Sequence, residues 1–225
     1  MNSAERRLTR MFQMRSLISL NIILILLLSA CDPVKKSTLS LSLEKSEKAP
    51  VWSSPFRNGF EKALFRTSLD VADKHLTGIS IIKKTSDSSF HFTFANEIGL
   101  TYFDIEILRE TYRPDYIFDP INKKSFLKIL QRDFSILFFS ESTGKQPLRK
   151  YIQNGSGEAV YLYLGIKLYA WMDTKQNSLT GLVGWSNYFD AVIVSFREYE
   201  NGFPNEIRIV NPKINMTLTF NFLGH

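Results

Sequence analysis

Residues 90–108 read FHFTFANEIGLTYFDIEIL, and their alternation decides the fold. Phe90, Phe92 and Phe94 fall on one side of the chain, with His91 and Thr93 on the other. Asn96-Glu97-Ile98-Gly99 interrupts the pattern with a turn signal. From Leu100 to Leu108 it resumes, Phe103, Ile105 and Ile107 opposing Tyr102, Asp104 and Glu106. A period of two with one apolar face marks half-buried strands, and a short polar link between two of them marks an antiparallel pair.

Working outward, the same period recurs on both sides. Leu64 to Val71 and Gly78 to Lys83 read as strands before it, with Asp87-Ser88-Ser89 as the turn into Phe90. Asp119-Pro120 then breaks the chain, and Asn122 to Phe139 places Phe126, Leu127, Leu130, Phe134 and Leu137 at steps of three and four. That spacing is one apolar stripe on a helix, with Lys123, Lys124, Lys128 and Arg132 largely off it. Those four are read as a solvated helix face, in preference to a contact with lipid headgroups. Glu141 to Gly157 is a polar connection with room for a short helical turn at Leu148 to Ile152. Strands return at Val160 to Trp171, expected to bend at Gly165, and Asp173 to Ser178 makes a hairpin turn. Leu179 to Trp185, Ala191 to Tyr199, Glu206 to Val210 and Ile214 to Phe222 follow, with turns at Asn201-Gly202 and Asn211-Pro212. Leu179, Leu182 and Trp185, spaced by glycines, are read as a buried strand in preference to an apolar loop tip. The fold class is therefore mainly β: a curved antiparallel sheet or half-open β-barrel of about ten to eleven strands with one inserted amphipathic helix. Eighteen phenylalanines make its inner face bulky, and an open apolar face of that size must roll up or be covered.

The beginning of the chain has a different physical character. Arg6, Arg7, Arg10 and Arg15 precede an apolar run of twelve residues from Leu17 to Leu28. The run falls short of the roughly 20 apolar residues that a membrane span needs, so the layout is that of a secretory signal. Leu28-Ser29-Ala30-Cys31 resembles the bacterial lipobox, which implies cleavage before Cys31 and acylation of its thiol. Cys31 is the only cysteine, so it has no partner for an internal disulfide, and acylation accounts for it. A single acyl chain anchors only marginally, whereas two or three hold firmly.

Three segments follow: a signal peptide at 1–30, a flexible polar tether at 31–58 and a β domain at 59–225. Removing 1–30 takes four of 28 basic and one of 22 acidic residues, leaving 24 against 21 and a net charge of +3. A nucleic-acid partner is not expected at that balance. In enterobacteria an Asp after the lipidated cysteine, here Asp32, retains a lipoprotein at the inner membrane. The rule differs between bacterial groups, and the expected address is the outer membrane, with the domain in the periplasm.

The order strands, helix, strands, ending in Gly202-Phe203-Pro204-Asn205-Glu206-Ile207-Arg208-Ile209 and an Ile-rich hairpin, resembles the superfamily of LolA-type lipoprotein carriers and LolB-type outer-membrane receptors. The resemblance spans most of residues 60–222 and lies in order and pattern, with no residue-level signature. It implies a half-open barrel whose helix covers an apolar cavity, with lipid or lipoprotein as cargo. Phe92, Phe94, Phe103, Ile105, Phe196 and Leu218, beneath Phe126, Leu130 and Phe134 of the helix, are the cavity candidates. Two other readings stay open. The helix closes an ordinary core, which is the commoner arrangement, and the protein is then a structural or assembly lipoprotein that docks on another envelope protein.

A search for chemistry is largely negative, and the protein is not expected to be an enzyme. His75, His91 and His225 are far apart in sequence, with no second histidine or cysteine at ligand spacing, so neither a metal nor another cofactor is expected. His91 reads as a solvent-facing strand residue. Asp104 and Glu106 share a strand face, a pairing read as the wet side of the sheet in preference to a catalytic couple. No Gly-x-Ser-x-Gly elbow or phosphate-binding glycine loop occurs.

Overall fold

Alternating stretches pair into one antiparallel sheet. The computed structural model describes residues 41–44, 51–142, 149–153, 158–163, 168–173, 175–176, 178–185 and 191–224. Six strands precede the helix: β1 (Leu41–Glu44), β2 (Lys62–Val71), β3 (Lys74–Ser86), β4 (Ser89–Ala95), β5 (Thr101–Leu108) and β6 (Tyr112–Ile117). Seven follow it: β7 (Arg149–Gln153), β8 (Glu158–Tyr163), β9 (Leu168–Asp173), β10 (Ser178–Trp185), β11 (Ala191–Glu200), β12 (Phe203–Asn211) and β13 (Met216–Gly224). Their order is β1-β7-β8-β9-β10-β11-β12-β13-β2-β3-β4-β5-β6. The sheet is thus two meanders, β7 to β13 and β2 to β6, joined where the C-terminal strand pairs antiparallel with β2. The order does not close on itself, so the sheet stays open.

Tight turns set the register. Glu200 pairs with Phe203 across Asn201-Gly202, whose φ values of 52° and 82° are both positive. That conformation matches the twist of flanking strands and suits Asn-Gly. Between β4 and β5, the Asn96 carboxamide oxygen accepts from the amides of Ile98 and Leu100, which fixes the turn read from the sequence.

Pro120 opens a short 3-10 turn (Asp119–Ile121), and helix α1 (Lys124–Phe139) follows. The connection through α1 carries the chain from β6, at one edge of the sheet, to β7 near the other. The sheet curves around it. Phe134 meets Phe92 of β4, Gln131 reaches the end of β5, Ile136 lies against Gly184 of β10, and Asp133 reaches Asn211 at the end of β12. The fold class expected from the sequence is the one observed.

Several boundaries differ from expectation. The helical turn expected at Leu148 to Ile152 is instead strand β7. The single bent strand expected from Val160 to Trp171 is a hairpin, β8 against β9, with Tyr163 opposite Leu168; the bend at Gly165 lies outside the described residues. Strand β6 carries no clear alternation, because Pro114 and an extra residue interrupt it. Among the described residues the sheet has thirteen strands, where the alternation gives about ten to eleven. The tether gives way to folded chain before residue 58: Trp52 is 4% exposed and Phe56 fully buried. Two aromatic side chains in an otherwise polar segment gain more from burial than their residues lose in backbone freedom. Residues 1–30, Cys31 and most of the tether lie outside the described residues, among which no helix is long and apolar enough to cross a membrane.

Candidate functional site: the helix-covered face of the sheet

The apolar stripe of α1 lies on the inner face of the sheet as its spacing requires. Phe126, Leu127, Leu130, Phe134 and Leu137 are all buried, while Lys123, Lys124 and Lys128 are exposed. Below them lie the side chains that β4 and β5 turn inward. All nine cavity candidates (Phe92, Phe94, Phe103, Ile105, Phe126, Leu130, Phe134, Phe196 and Leu218) are buried in one continuous apolar cluster. Phe134 packs edge-on to Phe92 with ring centroids 4.9 Å apart and stacks on Phe138 at 5.2 Å. Phe103 bridges Phe92, Phe94 and Phe126 at 6.1 to 6.3 Å.

Where the resemblance implies a cavity, these side chains pack ring against ring. Alternation tells which side chains face inward, but not whether rings from opposite sides interdigitate, and here they do. An open cavity of about 660 Å³ lies elsewhere, over β9, β10 and β11, and Phe196 is the one candidate that lines it. Its walls include Ile193 and Ser195, which alternate with the buried Val192 and Val194 on β11, together with Val183 opposite Ile193 and the buried Leu182 and Val194. Gly181, opposite both Trp171 and Ser195, lines it without a side chain. Thr180 Oγ1, also in the lining, is buried without a hydrogen-bond partner among the described residues. Leu179 and Leu182 are buried in β10, so they form a strand and not a loop tip.

Polar contacts from the middle of the helix tie it to two parts of the sheet. Gln131 Nε2 donates to the carbonyls of Leu108 (3.3 Å) and Arg109 (3.1 Å), and Ser135 Oγ donates to the Arg109 carbonyl. The Arg109 guanidinium lies 5.1 Å from the centre of the Phe139 ring, a cation–π contact. Asp133, fully buried on the helix, accepts from Asn211 Nδ2 at 2.7 Å and from Arg132 at 2.9 Å. Burial pushes its carboxyl above the ordinary value, while Asn211 and Arg132 oppose that shift. Beyond the helix, Ser54 N donates to the Ser140 carbonyl and Ser142 N to that of Trp52, both at 2.9 Å. This strap of residues 52–54 explains why the domain starts earlier than its alternation suggested.

The outer face of β4 to β6 holds an arrangement that linear spacing did not show. His91 Nε2 and Asp104 Oδ1 are 2.5 Å apart, and a carboxylate oxygen of Asp115 lies within 4.8 Å of both donor atoms. The three residues sit on three different strands, so the signal was sheet register, which emerges only once strands are paired. Glu106 turns away from this group to Arg113, 3.3 Å away.

No family model matches the chain, and no curated protein matches it. Among solved structures it is similar to a LolA superfamily protein of Nitrosomonas europaea, at 9% identity and a TM-score of 0.49, over 75% of this chain and 86% of the other. It is also similar to a DUF1329 family protein of Desulfovibrio piger, at 9% identity and a TM-score of 0.27, over 74% and 85%. An outer membrane lipoprotein-sorting protein domain of Vibrio parahaemolyticus follows, at 8% identity and a TM-score of 0.25, over 74% and 85%. At such identities and TM-scores these likenesses carry no argument about ligand or partner.

Proposed function

We propose that this chain is an envelope lipoprotein, held in the membrane by acyl chains on Cys31, that takes up lipid or the acyl chains of lipoproteins between its helix and sheet. Its place would be lipoprotein localisation to the outer membrane. One observation carries the reading: α1 covers the phenylalanine-lined concave face of a sheet that stays open. An apolar chain inserted there would exchange one set of dispersion contacts for another, with no specific chemistry required. The reading is of a binding protein, not an enzyme. The signal layout and lipobox-like residues 28–31 support the anchor, and the order of elements supports the carrier-type role through its resemblance to the LolA and LolB type.

A photo-crosslinking phenylalanine analogue placed at Leu130 or Phe126 of the full chain, expressed in a Gram-negative envelope, tests the uptake. Light-dependent adducts with acyl lipid or lipoprotein are expected from both inner positions and not from Ile81, which is 39% exposed. Equal yields from all three, or none from the inner pair, refute it. Feeding an alkynyl fatty acid tests the anchor separately: the label should enter the wild-type chain and be lost in Cys31→Ser.

The tight packing of the nine candidates favours a second reading, an assembly lipoprotein that docks on another envelope protein without a ligand. Protein adducts from Ile81 together with silence at Leu130 and Phe126 would mark that outcome.

A further inference from the structure

We infer that the outer face of β4, β5 and β6 binds one divalent transition-metal ion, Zn2+ by its donor set, through His91, Asp104 and Asp115. The site is independent of the lipid reading, since it lies on the opposite face of the sheet from α1. His91 of β4 sits opposite Glu106, and Asp104 of β5 opposite Thr93, so His91 and Asp104 are diagonal neighbours on one face. Such neighbours are within reach of long side chains, and here Nε2 and Oδ1 are already 2.5 Å apart. Thr93 Oγ1 donates to the same Asp104 oxygen at 3.2 Å, which holds that carboxylate in place.

The third donor comes from an irregularity. Ile105 pairs with Pro114 and Asp104 with Tyr116, so Asp115 is an extra residue on β6 with no partner of its own. A bulge of this kind sets two residues against one and re-aims a side chain. Its effect is to bring a second carboxylate within 4.8 Å of the His91 and Asp104 donor atoms. Strict continuation of the Asp104–Tyr116 register would instead set Asp115 opposite the buried Ile105, on the inner face of the sheet.

The charges around the group fit a cation. Two carboxylates face one imidazole, so negative groups outnumber the single nitrogen donor. Arg113 is engaged by Glu106 at 3.3 Å, and the exposed Lys83 lies across from His91 on β3. One nitrogen and two carboxylate oxygens are zinc donors, bound at about 2.0–2.2 Å. Tetrahedral placement around such an ion separates donors by about 3.4 Å. Closing the site therefore takes an opening of roughly 1 Å between His91 and Asp104 and a comparable inward swing of Asp115. His91 and Asp104 are about one third exposed, and Asp115 is exposed, so an ion reaches the site from solvent and a water completes its shell.

Titrating the chelator-stripped full chain in nonionic detergent with Zn2+, and with Co2+ as a coloured probe, tests the proposal. One ion per chain is expected, with Co2+ bands in the visible. His91→Gln and Asp115→Asn should each weaken binding at least tenfold, and His75→Gln should leave it unchanged. Asp115 is exposed on an edge strand, so its replacement by Asn leaves folding intact and keeps the comparison valid. No saturable binding by the wild type, or undiminished binding in the His91→Gln/Asp115→Asn double variant, overturns it.

Discussion

Replacing Phe134 by alanine separates a packed core from a lid over empty space. Phe134 is fully buried, with Phe92, Phe138 and Phe220 at ring-centroid distances of 4.9, 5.2 and 6.4 Å. Truncating a buried phenylalanine to alanine costs about 3–5 kcal/mol, the value rising with the void that remains. Three neighbouring rings cannot close that void without leaving their own partners, and aromatic pairs add about 0.5–1.5 kcal/mol beyond area, so the upper end of the range is expected. Against a total stability of about 5–15 kcal/mol, such a loss is large. The assay is urea unfolding of the full chain in nonionic detergent, followed by tryptophan fluorescence, to which the buried Trp52 contributes. With a denaturant slope of about 2 kcal/mol/M, the midpoint should fall by roughly 2 M. Tyr116→Ala, at a position 46% exposed, should change stability by no more than about 0.5 kcal/mol. A loss below about 1 kcal/mol for Phe134→Ala at unchanged slope would refute the packing argument, because the side chain would then face space and not neighbours.

Two further outcomes follow from particular atoms. A Cβ at Gly78 would lie 1.9 Å from the Ala95 carbonyl oxygen, a clash with backbone that no side-chain rotation relieves; Gly78→Ala should therefore cost at least the roughly 1–3 kcal/mol of an overpacked core, read by the same urea titration. Burial raises the Asp133 carboxyl above its ordinary 3.8, so the folded state holds that proton more tightly than the unfolded chain, and the stability present below the ordinary value is lost as pH rises through the raised one. Asp133→Asn keeps an acceptor for Asn211 and removes this loss, so its urea midpoint should gain on the wild type as pH rises above about 4; parallel pH profiles would refute the assignment.

The sheet was legible because burial on one face imposes a period of two, and β4, β5 and α1 carry uninterrupted apolar patterns. Strand β6 was not, because Pro114 and the extra Asp115 break the period while register with β5 still holds the strand in place. The pair β8 and β9 looked continuous because Leu162 to Leu168 keeps alternating through the link, and only pairing distinguishes one long strand from a hairpin. For the nine candidate residues, the inward direction was readable and the packing was not, because ring-to-ring contact depends on distances that no alternation encodes. The His91, Asp104 and Asp115 group was invisible for a related reason. Its residues are 11 and 13 apart in sequence, and the bulge that unites them is a property of pairing.

Solid packing bears directly on how a lipid carrier of this shape would work. Lifting α1 would expose Phe126, Leu127, Leu130, Phe134, Leu137 and Phe138. At about 1.5–3 kcal/mol for each such side chain, the cost is roughly 9–18 kcal/mol, as large as the whole stability of an ordinary domain. The Gln131, Ser135 and Asp133 hydrogen bonds would be lost along with them. Spontaneous opening to an empty cleft is therefore equivalent to unfolding. An acyl chain of about 15 methylenes, at about 0.8 kcal/mol each, brings roughly 12 kcal/mol of its own burial, which is of the same size. Uptake is thus feasible only as an exchange, in which ligand replaces helix contacts step by step and no empty cavity ever forms. The polar contacts at Leu108, Arg109 and Asn211 would then act as the last points of attachment, keeping α1 on the sheet while its apolar stripe changes partners.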